Sequence, residues 1–208
     1  VGVSKLCSAT RVRSAFRGGI VTAQPVTAWV FDSRDVGFIA SAIAYVSRRK
    51  GERIKDTPSH CGLGFDMNDG SQVYYEAHSD NGFGGPWSIV RLQSWIARKP
   101  GRWARRYTLP LSSAAVTRLY ELCERQRGVW PYPLGQLVQM WRWTRFSLPI
   151  TASDDAVVCS EAVSRLVHMA DGSTHIPTIA GRPGHDYIAP SDVAYAMREI
   201  GIEPEFIE

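Results

Sequence analysis

Cys159 stands where the short apolar run Ala156-Val157-Val158 gives way to helical spacing. From there apolar residues fall at Cys159, Ala162, Val163, Leu166, Val167 and Ala170, which paints one face of a helix. Asp171-Gly172 supplies a C-terminal stop. A thiol in a helix's first turn meets unpaired backbone N–H groups and the positive end of the macrodipole, and both favour thiolate. Taken alone, a cysteine there reads as the first residue of a buried stripe, because free cysteine is among the most buried residue types. The rest of the chain has to supply the reason to read it as a nucleophile.

A nucleophilic thiol needs a base within hydrogen-bond reach, and the base needs a group that orients it. His60 opens the first strand of an expected hairpin, and the second strand, "YYEAH", offers Glu76 and His78. Spaced by two, these share one strand face. Either could accept from the imidazole and fix its tautomer, leaving the other ring nitrogen for the thiol. The hairpin register is open in the sequence. Chemistry favours Glu76, whose carboxylate would stabilise an imidazolium, with His78 as the alternative third residue. Cys61 follows His60, should point away from it by strand alternation, and is expected to serve packing.

These residues need a particular set of elements to bring them together. Val26 to Phe31 reads as a strand, and Asp32-Ser33 with Asp35 as the start of a helix running to about Arg49. Lys50 to Ser59 is a charged loop. "HCGLGFDMNDGSQVYYEAHS" is two extended runs around Asn68-Asp69-Gly70, a strong hairpin signal. "WSIVRL" and "RRYTLPL" are expected as further strands. Ser112 to Arg127 is a helix, with Ala115, Val116, Leu119, Leu122 and Cys123 on one face. After a proline- and aromatic-rich stretch comes the cysteine helix, then "IPTIAGRPGHDY" as loop. A last helix over "APSDVAYAMREIG" takes Ser191 as N-cap and Asp192 in its first turn. The order predicts an α+β domain over 26–208, preceded by an extension, 1–25, packed on it.

The 208 residues, 44% hydrophobic and 21% charged, suffice for one sizeable core. A formal charge of +4, carried mostly by arginine, permits an anionic partner without requiring one. "IARKPGRWARRY" and "MWRWTRF" interleave arginine with tryptophan, and the expected reading is a solvated face over aromatic stems rather than a nucleic-acid surface. No apolar run has the length of a membrane helix, and the first twenty residues lack the apolar core of a secretory signal, which favours a soluble, cytoplasmic protein. Cys7, Cys61, Cys123 and Cys159 have no metal-ligand spacing and read as mostly free thiols, with no metal expected. No phosphate loop or dinucleotide fingerprint is present, so neither a nucleotide nor another cofactor is expected.

"SHCGLGFDMNDGSQVYYEA", "VRLQSW", "GVWPYPLGQL", "VVCSEAVSRLV" and "APSDV", in that order over roughly Val26 to Ile200, resemble the circularly permuted branch of the NlpC-type papain-like cysteine peptidases and amidases. The lecithin:retinol acyltransferase-like proteins are relatives of that branch. The resemblance implies a permuted papain-like fold in which the histidine strand precedes the cysteine helix and an antiparallel sheet packs against that helix. It implies Cys159 as nucleophile, His60 as base and Glu76 as orienting group. Two departures stand out: Cys61 replaces a common aliphatic residue, and "HMADGSTHIPTIAGRPGHD", with His168, His175 and His185, is an insertion that reads as a lid or as an ordinary surface loop.

The implied chemistry is attack of a thiolate on an amide or ester carbonyl through an acyl-enzyme. The oxyanion would be held by the Cys159 backbone N–H and by a second donor that the sequence leaves unassigned. A cysteine hydrolase cutting a peptide or cell-wall-type amide is the first expectation, with a peptide, cell-wall or lipid-amide substrate. An acyltransferase or thioesterase on lipid acyl groups, using an apolar groove around Trp141 to Phe146, is the second. A catalytically idle binding module is the third.

Overall fold

The computed structural model describes residues 23–78, 82–151 and 156–207. The expected extension, 1–25, falls through residue 22 outside the described residues, and Pro25 already belongs to the first strand. Strands β1 (Pro25–Arg34), β2 (His60–Met67), β3 (Gln72–His78), β4 (Gly82–Ser88), β5 (Trp103–Thr108) and β6 (Glu205–Ile207) form one sheet in the order β4-β3-β2-β1-β5-β6. Every pairing is antiparallel. The helices are α1 (Phe38–Ser47), α2 (Ile89–Ala97), α3 (Ser113–Gln126), α4 (Leu134–Phe146), α5 (Cys159–Asp171), α6 (Ile176–Ala180) and α7 (Pro190–Glu199). The protein is thus α+β, as its element order predicts.

The two sheet faces are covered differently. Val30, Cys61, Leu63, Phe65, Tyr75 and Tyr107 pack with the apolar stripes of α3, α5 and α7 in the main core. Alternate residues Trp29, Phe31 and Tyr74 point the other way and pack with Leu92 of α2. The hairpin closes where Gly70 takes φ +81°, a conformation that suits glycine. α3 starts as its pattern predicts, with Ser112 accepting from the Ala115 N–H at 3.3 Å. α5 ends at Gly172, φ +74°, whose N–H bonds the His168 carbonyl.

Several expectations are corrected. Asp32-Ser33 does not begin a helix but continues β1, and α1 starts at Phe38 after Gly37. A buried carboxylate needs a partner more than a helix needs a cap. Asp32 has one in Arg105 on β5, at 2.6 Å, and in the Tyr107 hydroxyl, at 3.2 Å. "WSIVRL" is not a strand: β4 ends at Ser88, and Ile89 onward is the amphipathic α2. The proline-rich stretch contains α4, and the expected loop after α5 contains α6. The last helix is capped at Ala189 rather than Ser191. Asp192 reaches back to the Ala189 N–H at 3.0 Å, while Ser191 is buried and donates to the Ser47 carbonyl.

Three arginines of the first arginine–tryptophan stretch are paired within the protein. Arg102 binds Asp35 and stacks 4.6 Å from the Trp95 ring, Arg105 binds Asp32 and stacks 4.3 Å from Trp103, and Arg106 binds Glu205 at 2.6 Å. No described helix is long and apolar enough to cross a membrane.

Gly62 and Gly64 let β2 lie beneath aromatic rings. A Cβ on Gly62 would overlap the Tyr75 carbonyl oxygen and the Phe31 ring, and one on Gly64 would overlap the Trp29 indole. Both Gly62→Ala and Gly64→Ala should therefore destabilise the protein, by about 1–3 kcal/mol as overpacking does. Gly62→Ala should cost more, because a strand carbonyl cannot swing aside as an indole can. Urea unfolding midpoints test the ranking, and equal or unchanged midpoints would refute it.

Candidate active site

Cys159 is the first residue of α5, entered from an extended Val158 with φ −84° and ψ 163°. No side chain caps this terminus, so its first-turn N–H groups remain to favour negative charge at the sulfur. The next two residues fix the turn. The Ser160 hydroxyl donates to the Ile188 carbonyl at 2.6 Å. The buried Glu161 accepts from Gln136 on α4 at 2.7 Å and meets Arg165 at 2.6 Å. Burial, and then a hydrogen bond to Asp186, pushes the Glu161 carboxyl up to about 8.

The side-chain contact, not the strand register, distinguishes Glu76 from His78. Gly62 lies directly opposite Glu76 on β3, so Glu76 is diagonal to His60 on the same face. His60 Nε2 and Glu76 Oε2 are 2.8 Å apart. His78 stands off with its ring centroid 6.3 Å from that of His60. With Nε2 held by the carboxylate, Nδ1 is the nitrogen left for the thiol.

Around the Cys159 sulfur stand the Cys61 thiol and backbone, together with the His60 imidazole. The Cys61 thiol stabilises the thiolate, burial opposes it, and the His60 charge tips the balance, so the Cys159 pKa lies well below the ordinary thiol value. Burial opposes charge on His60 too. The neighbouring thiolate and Glu76 outweigh that and raise the imidazolium to about 10. Burial disfavours the Glu76 anion, but His60, His78 and Arg91 keep its pKa below the usual value.

Cys61 packs in the core, as expected, and alternation turns it away from the side His60 faces. Because α5 packs on the side Cys61 faces, its thiol also acts on Cys159. Tyr132, in "GVWPYPLGQL", carried no role in the sequence reading. Burial raises its hydroxyl pKa, and charge on Cys159 raises it further, so the phenol lies within reach of that charge.

A cleft of about 580 Å³ opens on His60, Glu76 and Tyr132. Phe31, Ile39, Ile43, Leu92 and Trp95 give it apolar walls, and Arg91 and Arg98 give it positive charge. Cys159 itself is 4% exposed and lies behind this lining. Trp141 and Phe146 are partly exposed on α4, 5.7 Å apart, and do not line the cleft.

His168, His175 and His185 cluster beside α5, with ring centroids 4.8 to 5.7 Å apart. Ser164 and His185 Nδ1 are 2.8 Å apart, which ties the inserted segment to the helix. Among the described residues, no group of three or more His, Cys, Asp or Glu side chains is arranged to hold a metal ion.

Comparison with family models, with curated proteins and with solved structures returned no match for this chain.

Proposed function

We propose that the protein is a cysteine hydrolase that cleaves an amide bond through an acyl-enzyme on Cys159, in a permuted papain-like arrangement with the histidine strand ahead of the nucleophile helix. The observation that carries this reading is the His60–Glu76 contact of 2.8 Å, with the Cys159 sulfur acting on the same imidazole. A satisfied core histidine would not need both a carboxylate and a thiol at a helix start beside it.

In this reading the Cys159 thiolate attacks the carbonyl carbon from the side of the cleft. The developing oxyanion is met by the Cys159 N–H, and the Tyr132 hydroxyl, which lines the cleft, is the candidate second donor. His60 then gives its proton to the leaving nitrogen, and Glu76 stabilises the imidazolium until that transfer. Water entering through the cleft, deprotonated by His60, releases the acyl group. The apolar walls favour a second reading, transfer of a fatty or other apolar acyl group to an acceptor.

The pH signs follow from the two shifts. Cys159 is depressed, so its reactive form is present well below the ordinary thiol pKa of about 8.5 and is lost only as pH falls through its own lower value. His60 is raised, so its acid form persists until pH rises through about 10. Iodoacetamide should therefore alkylate Cys159 below pH ~7 in the parent and not in His60→Ala. Cys61 and Cys123, raised by burial, should stay inert. An ordinary thiol profile at Cys159 in both proteins would overturn the reading.

Turnover gives the complementary test. With a p-nitrophenyl acyl ester, the parent should show a burst and an acyl adduct on Cys159, both absent from Cys159→Ala. His60→Ala should lose roughly 10²–10⁴-fold in rate, and Glu76→Gln less, because it orients rather than reacts. Full turnover by Cys159→Ala would sink the assignment. Added amine or alcohol acceptors that divert the acyl group from water would favour the transferase.

A further inference from the structure

Cys61 does more than stabilise the Cys159 thiolate, because its place in the fold allows a second chemistry. It is the second residue of β2, fully buried, on the strand face that shares its core with Cys159, Ala162 and Val163 of α5. Cys159 is the first residue of α5. Two thiol side chains thus face each other across a strand–helix interface, each within one residue of the end of its element. We propose that Cys61 and Cys159 are a redox modification site, at which peroxide converts the nucleophile into a reversible Cys61–Cys159 disulfide.

The two sulfurs are unlike. Cys159 has the helix start and His60 to hold it as thiolate, the form that attacks peroxide. Cys61 is directly opposite Asp32 on β1, a fully buried carboxylate bound to Arg105. Burial, the neighbouring Cys159 and the Asp32 charge keep Cys61 protonated. One attacking thiolate beside one protonated thiol is the arrangement in which a sulfenic acid meets its resolving partner before a second oxidant arrives.

The chemistry balances in two steps. The Cys159 sulfur attacks one peroxide oxygen, the S–O bond forms, the O–O bond breaks, and the departing hydroxide takes a proton from solvent to become water. The Cys61 sulfur then attacks the sulfenic sulfur, the S–S bond forms, the S–O bond breaks, and the leaving hydroxide takes the Cys61 proton as a second water. Peroxide is reduced to two waters and the thiol pair is oxidised, and a dithiol reductant reverses the bond by exchange. Closing the S–S bond to about 2.05 Å needs the two Cα atoms within about 4.4–6.8 Å, and any adjustment is easiest near element ends. The disulfide silences the nucleophile while keeping it from irreversible oxidation. Cys123, buried on α3 with no imidazole to activate it, is the internal control.

The proposal rests on the reading of Cys159 as an activated thiolate, and the test separates the two. The full chain is treated with hydrogen peroxide, digested without reduction and mapped by mass. A Cys61–Cys159 linked peptide should appear, and dithiothreitol should remove it and restore iodoacetamide labelling of Cys159. In Cys61→Ala the same dose should drive Cys159 to sulfinic and sulfonic acid, with roughly tenfold less label recovered. Cys61→Ser, closer in size, guards against a packing defect in the alanine variant. Cys159 overoxidised in the parent as fully as in the variants, or linked to Cys123, would overturn the proposal. A low-pH thiolate without the linked peptide would sink the disulfide and leave the hydrolase. A linked peptide with an ordinary thiol profile would do the reverse.

Discussion

A charged sulfur at a nearly dry helix start is the constraint on which the rest of this structure turns. Burial alone would keep Cys159 neutral, so each group around it must favour the anion. The uncapped first turn of α5 supplies N–H groups, Cys61 supplies a thiol, and His60 supplies a cation. That cation is itself partly buried, and the Cys159 thiolate, with Glu76 at 2.8 Å, holds it. Three elements distant in sequence, β2, β3 and α5, therefore have to meet with correct register, and a slip of one residue in the hairpin would move Glu76 to the wrong sheet face.

The sheet makes this meeting possible because its two faces have separate duties. One carries the main core with α3, α5 and α7, and the other carries Trp29, Phe31 and Tyr74 against α2 and forms the floor of the cleft. His60, the first residue of β2, sits where the chain has just entered the sheet. Its ring can serve the cleft face while still reaching the sulfur that belongs to the core face. Behind them, Asp32, Arg105 and Tyr107 form a buried polar group across β1 and β5. That cluster anchors the strand beside Cys61 and adds negative charge on its far side.

Much of this was legible in the residues, and the failures have physical causes. The α5 stripe and its Gly172 stop, the Ser112 cap and the Asn68-Asp69-Gly70 turn are local signals, and each appears where its spacing predicts. Glu76 could be preferred over His78 on chemistry, and the His60–Glu76 contact separates them, because the register alone runs His60 toward His78. Asp32-Ser33 misled because a cap-like pair was recruited by Arg105, a residue 73 positions away. "WSIVRL" misled because a strand end and a helix start share one apolar run. Cys61 packs in the core as its alternation predicts, but its meeting with Cys159 was not legible. Alternation gave its direction correctly, but nothing local says on which side of the sheet the cysteine helix will pack.

The stretch "GVWPYPLGQL" now has a structural task. The Phe83 N–H donates to the Trp130 carbonyl at 2.8 Å, and the Val157 N–H donates to the Pro131 carbonyl at 3.1 Å, so the segment is pinned between β4 and the approach to α5. Gln136, in the first turn of α4, is bound to Glu161 in the first turn of α5. Tyr132 lies between those anchors, lines the cleft beside His60, and feels the charge on Cys159. The same short segment therefore ties the approach to α5 to the cleft wall, so the phenol's position is set by the backbone contacts on either side of it.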